Sequence, residues 1–222
     1  MFSRTQAVVG KQKMEKIKKL HIAVLGLGGV GGYVVEMLSR LGVMELTIVD
    51  FDKVDKSNIN RQIIATTLTI GKLKTDAFME RISSINANCK VNAFNTKLDN
   101  CTVPQILDKN FDYVIDCIDD IKAKIEVVKH CKNNNLNLIC SMGTGNRYKQ
   151  PKFEVTDISK TSYDKLAKKM RKLLKDEGIT KLDVVYTKES PEQTESLGSV
   201  VQYPLVCAGT IVGFVIEKLL GR

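Results

Sequence analysis

The apolar positions of the first 142 residues fall into short hydrophobic runs separated by stretches of helical period. Residues 21–27, 45–51, 90–95, 113–118 and 137–142 have the composition and length of strands. Residues 30–41, 73–85, 103–109 and 121–134, which lie between them, carry apolar side chains at spacings of three and four, which predicts helices. Strands that alternate with helices predict βαβ units. The expected fold is α/β, a Rossmann-like, mostly parallel sheet flanked by helices and joined by right-handed crossovers. The first, fourth and fifth runs are almost wholly apolar, as strands covered on both faces must be.

The rhythm changes after Met142. Residues 152–158 and 182–187 read as strands of alternating exposure, with a helix over 162–176 between them and a charged loop over 188–198. This predicts a mixed, antiparallel C-terminal part. The expected organisation is one domain over residues 1–222, with an N-terminal helical arm (1–20), a parallel-sheet part (21–142) and a further part (143–222). No charge stands between Ser196 and Ile216. Pro204 is expected to break this stretch, with Gln202 and Tyr203 interrupting it, which leaves an apolar helix over 205–216. That is shorter than the ~20 residues a bilayer requires, so a buried helix is expected. In it, Gly209 and Gly213 would admit a close neighbour.

Composition adds a partner class. Of 222 residues, 34 are basic and 25 acidic, a net charge of +9, which favours a polyanionic partner. The six cysteines form no C-x-x-C pair, so the spacing of a structural zinc site is missing. Cys89, Cys117 and Cys140 sit in apolar runs and are expected to be buried, reduced thiols. The first residues show no apolar signal core, and a cytoplasmic location is expected.

Gly26-Leu27-Gly28-Gly29-Val30-Gly31 contains G-x-G-x-x-G after a strand and at the opening of a helix. The first glycine permits the turn, the second lets phosphate approach the backbone, and the third lets helix pack on strand. The helix start presents free N–H groups to an anion. Asp50 ends the second strand, where a carboxylate accepts ribose hydroxyls. These residues alone leave NAD, FAD and ATP open. A nucleoside triphosphate, however, needs side-chain cations and Mg2+ for its displaced pyrophosphate. Arg61 stands in Ser57-Asn58-Ile59-Asn60-Arg61-Gln62, Lys74 begins the next helix, and Asp119 follows the fourth strand as an oxygen ligand suited to Mg2+.

The ordered set G-x-G-G-x-G, D-F-D, S-N-x-x-R-Q, a lysine after G-x-x, and D-x-x-D, spread over residues 26–120, resembles the nucleotide site of the ubiquitin-activating-type (ThiF/MoeB/HesA) adenylating enzymes. The resemblance implies ATP and Mg2+ as cofactors. It gives Asp50 to the ribose, Asn58 and Arg61 to the phosphates, Lys74 to the polyphosphate, and Asp119 to the metal. It places Gly26, Gly28, Gly29, Gly31, Asp52 and Gln62 in the same site. It implies a homodimer in which Arg4 reaches the partner's site, with residues 143–222 on the substrate and dimerisation side. The chain departs from the family pattern at Leu73, where Pro is common, and at Asp120, where Asn is common. No cysteine lies between Ser141 and Val206, the region from which relatives supply a thiol acceptor.

Phe2-Ser3-Arg4, Ser141-Met142-Gly143-Thr144-Gly145, Asp157-Ile158-Ser159-Lys160-Thr161 and Gly198-Ser199 resemble one branch, the tRNA threonylcarbamoyladenosine dehydratases. That resemblance implies a tRNA substrate whose modified carboxylate is adenylated and then closed into a ring by its own ureido group. Such an internal nucleophile has a high effective molarity and needs no thiol relay. Lys165, Lys168, Lys169 and Lys172 form one cationic helix face opposite Leu166, Met170, Leu173 and Leu174, and Arg147 is expected at the same entrance. The alternatives are an adenylating enzyme for a small sulfur-carrier protein, and a nucleotide-sensing scaffold without turnover. A sulfur-transfer role for Cys117 or Cys140, and a partner protein for it, are not assigned by the sequence.

Overall fold

The computed structural model describes residues 1–108 and 110–221. In chain order the elements are α1 (Ser3–Val9), α2 (Lys11–Lys19), β1 (His21–Leu25), α3 (Gly29–Leu41), β2 (Glu45–Val49), α4 (Lys74–Ile85), β3 (Lys90–Phe94), α5 (Thr102–Ile106), β4 (Tyr113–Asp116), α6 (Ile121–Asn133), β5 (Leu138–Ser141), β6 (Glu154–Asp157), α7 (Lys165–Asp176), β7 (Asp183–Tyr186) and α8 (Gln202–Leu220). One seven-stranded sheet has the order β3-β2-β1-β4-β5-β7-β6. All pairings are parallel except β6 with β7. The expected α/β sheet with a mixed C-terminal part is therefore what the chain builds.

Two helical layers cover the sheet. One core joins α3, α4 and α8 to residues such as Val24, Ile48, Ile115 and Ile139, and the other joins α5, α6 and α7 to Ala23, Leu25, Val114 and Cys140. Successive strand residues point to opposite faces, so a strand buried in both cores must be apolar throughout. β1, β4 and β5 follow this rule except at one end of each, where His21, Asp116 and Ser141 stand. The alternation expected for 182–187 is not observed: Val184, Val185 and Tyr186 are all buried. β7 is an interior strand, between β5 and β6, so both of its faces are covered.

Element ends differ from expectation where a local signal wins. β1 stops at Leu25 because Gly26 turns with φ +82°. The helix expected over 103–109 runs Thr102–Ile106, and Lys109 lies outside the described residues. The helix expected from 162 starts at Lys165, since Tyr163 has φ +58° and the Asp164 carboxylate caps it by accepting the Ala167 N–H at 2.8 Å. Pro204 does not break the last helix. It sits in the first turn of α8, where its missing N–H has no helical acceptor to lose. α8 thus has 19 residues and is long and apolar enough to cross a membrane by length and composition. Seven of these residues, among them Cys207, Ile211 and Val215, are buried, and the helix packs on α3. A Cβ on Gly213 would meet nothing within 4 Å, so the close approach expected there does not occur within the chain.

Candidate active site

The order of the sheet reverses between β1 and β4, and the crevice at the carboxyl ends of these strands is where α/β folds hold ligands. The glycine turn fills it. A Cβ on Gly26 would lie 2.9 Å from the Cys117 carbonyl oxygen, and one on Gly31 would lie 1.8 Å from that of Gly26. No side chain fits either position, so the turn presses against the end of β4. Gly28, by contrast, faces open space, with the Gln62 Nε2 3.9 Å from its Cβ direction. No side chain caps α3, and its first N–H groups are left for a ligand.

Asp50 is 9% exposed beside this turn. Its carboxylate accepts the N–H of Leu27 at 2.7 Å and of Asp52 at 2.8 Å. Burial pushes its pKa above the usual carboxylate range, against the opposing pull of Lys74. Lys74 is 4% exposed, donates to Asp52 Oδ2 at 2.7 Å, and stands 3.7 Å from Asp50 Oδ2. One buried acid, Asp50, and one half-exposed acid, Asp52, thus aim this ammonium at the crevice and leave it a further donor. Its helix starts after Leu73 with φ −59°, the angle proline would impose, which explains how leucine replaces proline here at no conformational cost.

The segment 57–62 wraps next to the turn. Asp55 and Asn58 exchange side-chain and backbone hydrogen bonds as a capping box around a short 3-10 turn, which holds Asn58 at 9% exposure. Arg61 donates from Nη1 to the Ser57 carbonyl and to Asn60 Oδ1, both at 2.9 Å. Its hydrogen bonds therefore go to neutral acceptors, and its charge is not cancelled locally. Gln62 is 7% exposed, and its Oε1 is buried with no hydrogen-bond partner among the described residues. An orphaned amide of this kind costs stability unless a ligand meets it.

At the end of β4, Asp119 is exposed while Asp116 is wholly buried. The Asp116 carboxylate accepts the Ile118 N–H at 2.9 Å and pairs with Lys124 Nζ at 2.9 Å, both side chains at 0% exposure. Burial disfavours the Lys124 charge, yet Asp116 outweighs it and leaves the ammonium's pKa raised. This pair was missed in the sequence, where Lys124 resembles any helix-surface lysine. It anchors the strand-to-helix turn that carries Asp119. Asp120 also finds its purpose: its carboxylate caps α6 by accepting the N–H groups of Lys122 at 2.8 Å and Ala123 at 3.2 Å. Among the described residues no group of three His, Cys, Asp or Glu side chains is placed to hold a metal. One carboxylate suits Mg2+, which takes few protein ligands and completes its shell with water and substrate phosphates. All six cysteines are free. Burial pushes Cys117 up to about 12 and Cys140 well above its ordinary value, so neither is a ready thiolate.

The C-terminal loops close on this crevice. Asn60 donates to the Ser199 carbonyl at 2.9 Å, and Pro204 lies 3.1 Å from the Cβ direction of Gly29. Arg147 departs from expectation. It is 6% exposed and donates to the carbonyls of Glu189, Gly143 and Gly145, so it organises the two loops and is not a surface cation. Lys165, Lys168, Lys169 and Lys172 are exposed on α7, and none forms an ion pair among the described residues. Ala167, Met170 and Leu174 supply its buried stripe, while Leu173 sits at the edge, 36% exposed. Arg4 is exposed on α1, a helix with no buried residue, and is not brought to the glycine turn by any described contact.

This geometry has counterparts. The chain is 42% identical over 191 residues to the tRNA threonylcarbamoyladenosine dehydratase of Bacillus subtilis, which covers 86% of this chain and 75% of that protein. It is 40% identical over 162 residues to the Haemophilus influenzae protein of the same name, covering 73% and 62% of the two chains. The crystal structure of the Escherichia coli tRNA N6-threonylcarbamoyladenosine dehydratase in complex with ATP superposes with a TM-score of 0.94 at 30% identity, over 99% of this chain and 93% of that one. A family model described as the ThiF family matches residues 2–221. With nearly its whole length matched and the glycine turn, acids and cations in place, the chain belongs to the ThiF family.

Proposed function

We propose that the chain is an ATP-dependent dehydratase that cyclises threonylcarbamoyladenosine next to the tRNA anticodon by adenylating its carboxylate. The observation that carries this reading is Lys74, buried between Asp50 and Asp52, together with the uncapped start of α3 and the uncancelled charge of Arg61 on the segment that packs against the glycine turn. A dinucleotide pyrophosphate needs neither cation, whereas a triphosphate needs both.

In this reading Asp50 takes the ribose hydroxyls, and the first N–H groups of α3 hold phosphate oxygens. Asn58 and Arg61 bind the phosphates, with Gln62 meeting the same ligand through its orphaned amide. Asp52 aims Lys74 at the departing pyrophosphate. Asp119 is the residue that would hold Mg2+, which, when bound, neutralises charge on the phosphates. The substrate carboxylate attacks the α-phosphorus in line and pyrophosphate leaves. The ureido group of the same side chain then closes on the activated carbonyl and AMP departs with one former carboxylate oxygen. The nucleoside has lost one water. Fixed cations that match the charge of this transition state are worth more here than in water.

The cationic face of α7 is the proposed tRNA surface, giving salt-sensitive, sequence-independent attraction. A homodimer with Arg4 supplied in trans completes the proposal, in the cytoplasm where ATP and tRNA meet. The test incubates the protein with ATP, Mg2+ and tRNA bearing threonylcarbamoyladenosine. AMP and pyrophosphate released in proportion to nucleoside converted support the reading. AMP formed only with a small Gly-Gly-terminated carrier protein would replace it with the sulfur-carrier alternative.

A further inference from the structure

A cavity of about 390 Å3 lies between residues 147–149 and 189–192, with Tyr203 of α8 at its side. The segments that wall it leave the carboxyl ends of β5 and β7, the sheet edge that also carries the glycine turn. We propose that this cavity is the subsite for the nucleoside that carries the reacting side chain, with its base stacked on Tyr148 and an acceptor atom held by Arg147. The proposal rests on the tRNA reading above and names where that substrate sits.

Arg147 supplies the first reason. Its Nε donates to the Glu189 carbonyl at 2.8 Å, and its Nη1 to the carbonyls of Gly143 and Gly145, both at 3.1 Å. These bonds lock the guanidinium in one orientation. Its Nη2 has no protein partner among the described residues, and no carboxylate there forms an ion pair with it, although the residue is 6% exposed. A buried donor left unpaired is costly unless a ligand supplies an acceptor.

Tyr148 supplies the second. Its side chain is among the exposed aromatics, at 63%, yet Gln202 donates to its carbonyl at 3.2 Å and fixes its backbone. A held backbone with a free aromatic face is the arrangement on which splayed-out, single-stranded bases stack. A nucleoside in an anticodon loop is such a base.

Charge decides the ligand class. The cavity has two cations, Arg147 and Lys149, and two carboxylates, Glu189 and Glu192. Glu189 accepts from the Tyr203 hydroxyl at 2.8 Å, and Glu192 lies 3.9 Å from Lys149. A bare polyphosphate would face both acids. A heterocycle with a ureido side chain offers acceptors to Arg147 and N–H donors to the carboxylates, and one such group suits a cavity of this size.

The chain contains no tryptophan, so Tyr148→Trp installs a single reporter that still stacks. An anticodon stem–loop bearing threonylcarbamoyladenosine is expected to quench its fluorescence saturably, with no competition from excess ATP. Adding Arg147→Gln is expected to weaken that binding at least tenfold. Tyr148→Ala is expected to raise KM for the modified tRNA by roughly 5- to 150-fold, the range for one base stacked on an aromatic ring, with ATP affinity unchanged. Tyr148 is exposed, so this variant folds even if the Arg147 variant does not. No quenching at saturation, quenching by ATP itself, or an unchanged KM in Tyr148→Ala would overturn the proposal. The fluorescence measurement requires no turnover, so the cavity is judged separately from the reaction. Wild-type protein that converts the tRNA while Tyr148→Ala does so equally well removes this subsite alone.

Discussion

One added methyl group in the glycine turn is expected to have opposite consequences at two positions three residues apart. At Gly28, φ is −77° and the nearest atom to a new Cβ is Gln62 Nε2 at 3.9 Å, so alanine fits the unliganded protein. At Gly31 the Cβ would lie 1.8 Å from the Gly26 carbonyl oxygen, and α3 must move away from the turn by more than 1 Å to admit it. Gly28→Ala should therefore change stability by at most about 0.5 kcal/mol. Gly31→Ala should cost at least the ~1–3 kcal/mol of an overpacked core. Ligand binding separates them further. ATP at about 100 times its Kd stabilises a native protein by about 2.7 kcal/mol, or roughly 5–10 °C in a chain of this length. In Gly28→Ala the methyl occupies the phosphate approach, and a 100-fold weaker Kd cuts the stabilisation at the same ATP concentration to about 0.4 kcal/mol. Thermal melts with and without ATP, with calorimetry of ATP binding, read both effects. A Gly28→Ala variant with an intact ATP-induced shift, or a Gly31→Ala variant as stable as the parent, would refute the reasoning.

Arg61→Ala should leave the melting temperature within about 1–2 °C of the parent, since its partners are exposed, neutral groups. Its turnover should fall roughly 100- to 1000-fold, the usual cost of losing one group that stabilises transition-state charge, read by AMP release. Lys124→Met should cost about 3–5 kcal/mol by stranding the buried Asp116 charge, with a denaturant melt as the check, and adding Asp116→Asn should recover part of that loss. Burial pushes Cys89 up to about 11 and Cys131 to about 12, so at pH 8 these thiols carry almost no thiolate. Brief treatment of the native protein with iodoacetamide should label the exposed Cys101 first, by peptide mass spectrometry, and equal labelling of Cys117 would contradict the raised pKa that its surroundings impose.

The sheet and its helices were legible because their signals are local: apolar runs for strands covered twice, spaced apolar residues for helices, and glycines where the backbone must turn. The misreadings share one cause, that a residue's meaning depends on what packs beside it. Residues 182–187 were expected to alternate in exposure, but β6 adds beyond β7 and makes it interior. Pro204 suggested a break, but its position in the first turn makes it harmless. Arg147 suggested a surface cation until its three carbonyl partners came together from loops 42 residues apart. In the site, the motif residues could be named from spacing, whereas the Asp116–Lys124 pair could not, because a buried lysine is visible only once α6 docks. Asp120 was readable in principle, since an acid just before a helix is a cap.

The most direct test of the central claim follows one oxygen. The tRNA is prepared with both carboxylate oxygens of its threonylcarbamoyladenosine labelled with heavy oxygen, then converted with ATP and Mg2+, and the released nucleotide is weighed by mass spectrometry. Adenylation predicts AMP that carries one heavy oxygen, unlabelled pyrophosphate, and a nucleoside lighter by one labelled water. Unlabelled AMP, or ADP with the label in inorganic phosphate, would show that the carboxylate does not attack the α-phosphorus and would contradict the account.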